Sequence, residues 1–157
     1  MIRLSRLSDY GIVLMSHLAG FGDGEPHSAT EIAAEAGLPQ PVVSKLLKAL
    51  AREGLLESHR GAKGGYTLAR PPHEISAAQM ITALEGPIGL TECSVHPGEC
   101  AQEASCHVRE PWQRINDVVR GALSDVSLAD LAQPPRKPPT AAPAPARDTL
   151  PLAGEAG

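Results

Sequence analysis

Residues 28–70 read "SATEIAAEAGLPQPVVSKLLKALAREGLLESHRGAKGGYTLAR". Ser28 followed three residues later by Glu31 has the form of a capping box, and it opens a short Ala-rich helix with Ile32 and Ala36 facing inward. Gly37 ends that helix and "GLP" makes a tight turn. Pro41 then falls in the first turn of a second helix, where its missing N–H does no harm. Val42, Leu46, Leu47 and Leu50 line one side of this helix, and Gln40, Ser44, Lys45 and Lys48 project from the other. A short helix, a glycine turn and a helix with a polar, basic outer face form the helix-turn-helix pattern. An ordinary αα-hairpin has the same outline.

The next fifteen residues separate these two possibilities. Leu55–His59 and Tyr66–Ala69 read as short strands joined by a glycine-rich turn with Arg60 and Lys63 at its tip. A basic hairpin directly after a helix-turn-helix is a wing. The second helix is expected to enter a major groove of double-stranded DNA, and the wing to lie along phosphates or reach into a minor groove. Charge agrees. Residues 40–70 carry six basic and two acidic side chains, inside a chain of net charge −4, whereas residues 71–157 carry six basic and eleven acidic ones. The expected DNA contacts are Gln40, Ser44, Lys45, Lys48, Arg60 and Lys63 at an operator.

Upstream, "SDYGIVLMSHLAG" is expected to be a helix capped by Ser8, with Tyr10, Val13, Leu14, His17 and Leu18 on one stripe. His17 on that stripe is expected to pack or end the helix, not to bind a ligand. Downstream, Ser76 caps another short helix that Gly86, Pro87 and Gly89 end. The stretch "EPWQRINDVVRGALSDVSLADLA" is expected to be one long helix with Pro111 in its first turn. Along it Trp112, Ile115, Val119, Ala122 and Val126 recur at intervals of 3, 4, 3 and 4, a near-heptad seam suited to a partner subunit or to its own domain. From Gln133 onward Pro, Ala and Gly dominate without apolar periodicity, and disorder is expected there.

These elements divide the chain into a DNA-binding domain over 1–87, a cysteine-rich loop over 88–108, a dimerisation helix and C-terminal cap over 109–132, and a tail over 133–157. Aromatic residues are limited to Tyr10, Phe21, Tyr66 and Trp112, so the core must be aliphatic. The fold class expected is mainly α with a small β-hairpin wing. No run of eighteen apolar residues suggests a membrane span, "MIRLSRLSDY" has no signal-peptide character, and a cytoplasmic location is expected.

The stretch "CSVHPGECAQEASCH", residues 93–107, holds every cysteine, spaced C-x6-C-x5-C. One disulfide would leave an orphan thiol, and a cytosolic setting disfavours disulfides. Close cysteines on a Gly- and Pro-broken loop read better as metal ligands than as a thiol redox sensor. Structural zinc usually shows a C-x2-C knuckle, which is missing, whereas wider spacing suits an iron–sulfur cluster. Three thiolates need a fourth ligand, and His107, His96, Glu92 or a residue from elsewhere can supply it.

"LSRLSDYGIVLM", "LPQPVVSKLLKAL", "SHRGAKGGYTLAR" and "EGPIGLTEC" together resemble the winged helix-turn-helix iron–sulfur cluster regulators, over residues 1 to about 131. Within that group, "SDYGIVLM", "GAKGGYTLARP" and "GPIGLTECS" look most similar to the regulators of SUF cluster assembly. The resemblance implies a homodimer held by the helix beginning near Trp112, through Trp112, Ile115, Val119 and Ala122. It implies a cluster, of two-iron or four-iron type, held by Cys93, Cys100 and Cys106. It also implies that cluster occupancy alters which promoters are bound. One departure matters. Members of the group place a ligand histidine three residues after the third cysteine, and here that position is Arg109. Other members use an aspartate near the start of the first helix, donated by the other subunit. Asp9 stands at the matching place and ranks ahead of His107 as fourth ligand.

The leading expectation is a transcriptional regulator sensing iron–sulfur supply. An iron–sulfur or zinc accessory protein in cluster delivery is the alternative, but it has no need of a basic wing. An enzyme is not expected, because no phosphate loop, nucleophile elbow or histidine–carboxylate metal motif occurs.

Overall fold

The computed structural model describes residues 3–22 and 24–133; the expected tail lies outside these residues except for Gln133. Three helices open the chain: α1 (Arg6–Phe21), α2 (Ala29–Ala36) and α3 (Gln40–Arg52). A hairpin comes next, β1 (Leu56–His59) and β2 (Gly65–Leu68), then α4 (Ala77–Glu85). A single turn, α5 (Glu92–Val95), interrupts the cysteine loop, and α6 (Arg109–Ser124) and α7 (Leu128–Leu131) close the described chain.

The start of α1 corrects the expected cap. Ser5, not Ser8, is the N-cap: its extended backbone turns the chain into the helix and its hydroxyl accepts the Ser8 N–H at 3.2 Å. Ser8 is fully buried inside the first turn. Leu14 and Leu18 are buried as the stripe requires, but Val13 is exposed and Met15 is buried in its place.

The capping box at Ser28 forms as expected, with Glu31 N–H donating to the Ser28 hydroxyl and Ser28 N–H to the Glu31 carboxylate. Gly37 ends α2 with φ 64°, a left-handed conformation that glycine adopts without a Cβ penalty. The inward residues of α2 are Ile32 and Ala33, and Ala36 is only half-buried. Along α3 the buried set is Val43, Leu46, Leu47 and Leu50, with Val42 at its margin. Both differences have one cause: a stripe on a helix is more than 100° wide, and neighbouring positions compete for its centre.

The strands pair antiparallel, Leu56 opposite Leu68 and His59 opposite Gly65. A third segment joins them, since His27 exchanges backbone hydrogen bonds with Tyr66 at 3.2 and 2.8 Å. Gly65 permits this approach, because a Cβ there would run into the His27 carbonyl. The aliphatic core sits between α1, α3 and α4, with Ile75 from the segment before α4 and Leu128 from α7 completing it. Burying each such side chain contributes about 1.5–3 kcal/mol.

The single long helix expected after Pro111 is broken. It stops at Ser124, and Val126 falls in the turn beyond it. Ser127 and Asp130 form a capping box that starts α7. The intervening backbone pairs with the entry to α4, Ala77 N–H donating to Val126 O at 2.8 Å and Leu128 N–H to Ile75 O at 2.7 Å. Val126 is therefore no part of a helical seam.

Candidate nucleic-acid interface and cysteine loop

The reading face is held by what lies beneath it. Val43, Leu46, Leu47 and Leu50 fix α3 on the core, which turns Gln40, Lys45 and Lys48 outward as exposed side chains and leaves Ser44 half-buried. Gln40 is positioned further: its Nε2 donates to Thr30 Oγ1 at 2.8 Å, joining the first turns of α2 and α3 on the exposed side. Thr30 is a member of this face that sequence reasoning misses, since a threonine in a helix first turn carries no distinctive signal. In the wing, Arg60 and Lys63 are exposed at the tip, and His59 Nε2 meets Thr67 Oγ1 across the hairpin at 2.9 Å. Among the described residues, Lys45, Lys48, Arg60 and Lys63 form no ion pair. Their charge is available to phosphates.

The cysteine loop lies at the other end of α4. It leaves Glu85 through Gly86 and returns at α6. Cys93 sits in α5, Cys100 in the turn after it and Cys106 just before α6; all three are half-buried free thiols. Thr91 Oγ1 approaches Cys93 Sγ at 3.3 Å and Ser94 Oγ at 2.8 Å. Two contacts that no sequence signal announces organise the loop. Glu103, its side chain only 11% exposed, pairs with Arg109 at 2.7 Å and accepts the Gly98 N–H at 2.6 Å. Asn116, fully buried on α6, accepts the Leu90 N–H through Oδ1 at 3.1 Å, while its Nδ2 has no partner among the described residues. Asn116 shares an inner face with Val119 and Leu123, at intervals of 3 and 4.

The remaining candidates are dispersed in the single chain. Asp9 is exposed in the first turn of α1, and His107 is exposed in the turn before α6. Among the described residues, the group whose ligand atoms all come within 4.8 Å of one another is Glu92, His96 and Glu99, all exposed. The three sulfurs do not meet that closely, and neither Asp9 nor His107 joins them at that range. Three half-buried free thiols on one loop are soft donors of the kind an iron–sulfur cluster takes. The seam residues are open: Trp112 is 41% exposed and Ile115 47%, Ala122 is exposed and Val119 half-buried. The neighbouring Val118 is exposed as well.

A helix-turn-helix with an exposed basic face, continued by a basic antiparallel hairpin, defines a winged-helix DNA-binding protein. No helix among the described residues is long and apolar enough to cross a membrane. Residues 4–134 match the model of the Rrf2 family, described as iron-dependent transcriptional regulators. The chain is 35% identical to the HTH-type transcriptional regulator CymR of Bacillus subtilis over 131 residues, which cover 83% of this chain and 90% of that one. The solved structure of the B. subtilis protein, the global cysteine regulator CymR, superposes with a TM-score of 0.66 over 84% of this chain and 97% of that chain. The structure of T. potens IscR superposes with a TM-score of 0.62 at 31% identity, covering 83% of this chain and 85% of that chain. This chain belongs to the Rrf2 family of transcriptional regulators, and its relatives are regulators, not enzymes.

Proposed function

We propose that this regulator senses iron–sulfur status as a homodimer and controls SUF-type cluster-assembly genes from a cytoplasmic location. The observation that carries the proposal is three half-buried free thiols on one ordered loop, joined to α6 by Asn116 and Arg109. Cys93, Cys100 and Cys106 would hold the cluster, with Asp9 of the other subunit or His107 as fourth ligand. A bound cluster would supply a centre that oxidants or nitric oxide destroy at its weakest-bound corner. The protein's own part is linkage. The loop leaves from α4, whose last residue Glu85 accepts the Ser5 N–H at 2.7 Å, so the loop, α1 and the reading helices share one framework. A ligand that favours one arrangement of that framework shifts its DNA affinity by the same free energy. In this reading Lys45 and Lys48 enter the major groove, with Gln40 and Ser44 beside them, and Arg60 and Lys63 track the backbone or minor groove. The divisions expected at residues 87, 108 and 132 remain part of the proposal.

A second reading is favoured by the likeness to CymR, whose solved structure is that of a global cysteine regulator. In that reading the chain regulates sulfur supply and its thiols carry no cluster. One measurement separates the two: anaerobic purification, then a visible absorption spectrum and counts of iron and sulfide per chain. Iron and sulfide together support the proposal, and a colourless, metal-free protein supports the second reading. Within the first, any cysteine-to-alanine change should abolish the visible spectrum without unfolding the dimer. Asp9→Ala should leave a cluster that decays faster, and His107→Ala should change little. The opposite order for these last two would make His107 the ligand.

A further inference from the structure

Glu103 stands between the second and third cysteines and touches the chain on either side of them. Its Oε2 accepts the N–H of Gly98, which lies between Cys93 and Cys100. Its Oε1 pairs with Arg109, in the first turn of α6 beyond Cys106. One carboxylate thus fastens the turn between Cys93 and Cys100, the stretch between Cys100 and Cys106, and the start of α6. Gly98 suits its place, since its φ of 91° turns the loop so that its N–H faces the carboxylate. A carboxylate with its side chain 11% exposed must have partners, and both its oxygens are engaged with charge-assisted geometry. At the loop's start, Asn116 holds the Leu90 N–H, so the loop is fastened at both ends.

We propose that Glu103 is a positioning residue which, through Gly98 and Arg109, holds the three thiols in a ligand-ready arrangement before metal arrives. This rests on the iron–sulfur reading above and extends it to residues that do not themselves bind iron. Arg109 acts on the site through the Glu103 carboxylate. The pair also places a neutralised charge couple on the loop that carries the thiols. Losing one member leaves a net charge there, to which a cluster's potential responds. Ordering the loop in advance removes part of the entropic cost of converging three side chains on one centre.

The test compares full-length wild type with Glu103→Ala, Glu103→Gln and Arg109→Lys, all purified anaerobically. Sedimentation and circular dichroism check that each remains folded. Three quantities are read: amide exchange at Gly98 in the metal-free protein, the rate of iron loss to a chelator, and the reduction potential. Outer partners of metal ligands typically change affinity by about 10- to 100-fold when removed. Glu103→Ala should therefore lose iron at least about tenfold faster, exchange Gly98 faster, and shift its potential. Glu103→Gln keeps an acceptor for Gly98 but not the ion pair, and should fall between. Arg109→Lys restores a cation and should stay near wild type. Variants of Glu103 that match wild type in iron loss, potential and Gly98 exchange would overturn the clasp alone. A wild type carrying no iron and sulfide would overturn the iron–sulfur reading and the clasp together.

Discussion

In α3, four of thirteen residues are buried and all are aliphatic: Val43, Leu46, Leu47 and Leu50. In α6, three residues longer, the one buried side chain is Asn116, while Trp112, Ile115 and Val118 stand exposed. The two helices solve different problems. α3 finds all its partners within its own chain, so the reading face is complete in one copy. α6 keeps Trp112, Ile115 and Val118 exposed, and its one buried side chain, Asn116, has an Nδ2 with no partner among the described residues. The core beneath α3 closes within one chain, whereas α6 leaves large apolar side chains exposed.

The sharpest way to break this contrast is Ile115→Glu. If α6 meets its counterpart through Trp112 and Ile115, the substitution places an unpaired charge in the interface and weakens association by about 3–5 kcal/mol. Sedimentation should then give monomer, while the helical core of each chain stays folded. A variant that remains dimeric and well folded would remove this face from the interface. The next largest effect belongs to the other half. Leu47→Ala truncates a fully buried side chain and should cost about 2–5 kcal/mol in urea unfolding. Because α3 is complete within one chain, that loss should not depend on protein concentration beyond any dimer linkage shared with wild type. A loss that grows steeply on dilution would contradict the closure of that core within one chain.

The same contrast explains which parts are legible in the sequence. The helix-turn-helix and wing are local: capping boxes, a glycine C-cap, a proline in a first turn and a glycine-rich turn between two short strands each announce themselves within a few residues. The structure departs from that reading only within a turn of helix, Val43 taking the place of Val42 and Ser5 that of Ser8, because nearby positions carry the same residue types. The C-terminal helix misleads for a different reason. Ser127 and Asp130 spell a capping box, but the apolar spacing runs on through Val126 and hides it; what ends α6 is the pairing of residues 126–128 with 75–77, far away in sequence. The cysteines are legible as a cluster of donors, yet Glu103, Arg109 and Asn116 are not legible as the residues that hold the loop. Their contacts span 5, 6 and 26 residues with no periodic signature.

Smaller effects test the exposed basic face. Replacing Lys45 or Lys48 by alanine should weaken operator binding by about 1–3 kcal/mol where a base is contacted. Where the contact is to a phosphate, the slope of affinity against salt should instead fall by about one unit. Since both side chains are exposed and unpaired, stability should change by less than about 0.5 kcal/mol. A double variant with unchanged affinity and salt slope would move the interface off α3. Arg60→Ala should matter most where A·T-rich flanks narrow the minor groove.

The smallest effect lies where the two halves join. Glu85, the last residue of α4, has its carboxyl held below the ordinary value of 4.5, first by the Ser8 hydroxyl and then by the Ser5 backbone N–H, against a smaller opposing effect of burial. A lowered folded-state pKa means that the ionised form is the one the fold favours. Its contribution is therefore fully present above the ordinary value and is lost as pH falls through the lowered one. Glu85 is exposed, so screening keeps that contribution under about 1 kcal/mol. Glu85→Gln should be slightly less stable than wild type at pH 7, and the difference should shrink as pH falls below 4.5. A difference independent of pH would show that the side chain acts by shape, not charge. The site of this tie gives the test its value: it fastens the first turn of α1, where Asp9 sits, to the point where the cysteine loop begins. If loosening it also speeds cluster loss without touching a thiol, the reading half and the cysteine half communicate through this junction.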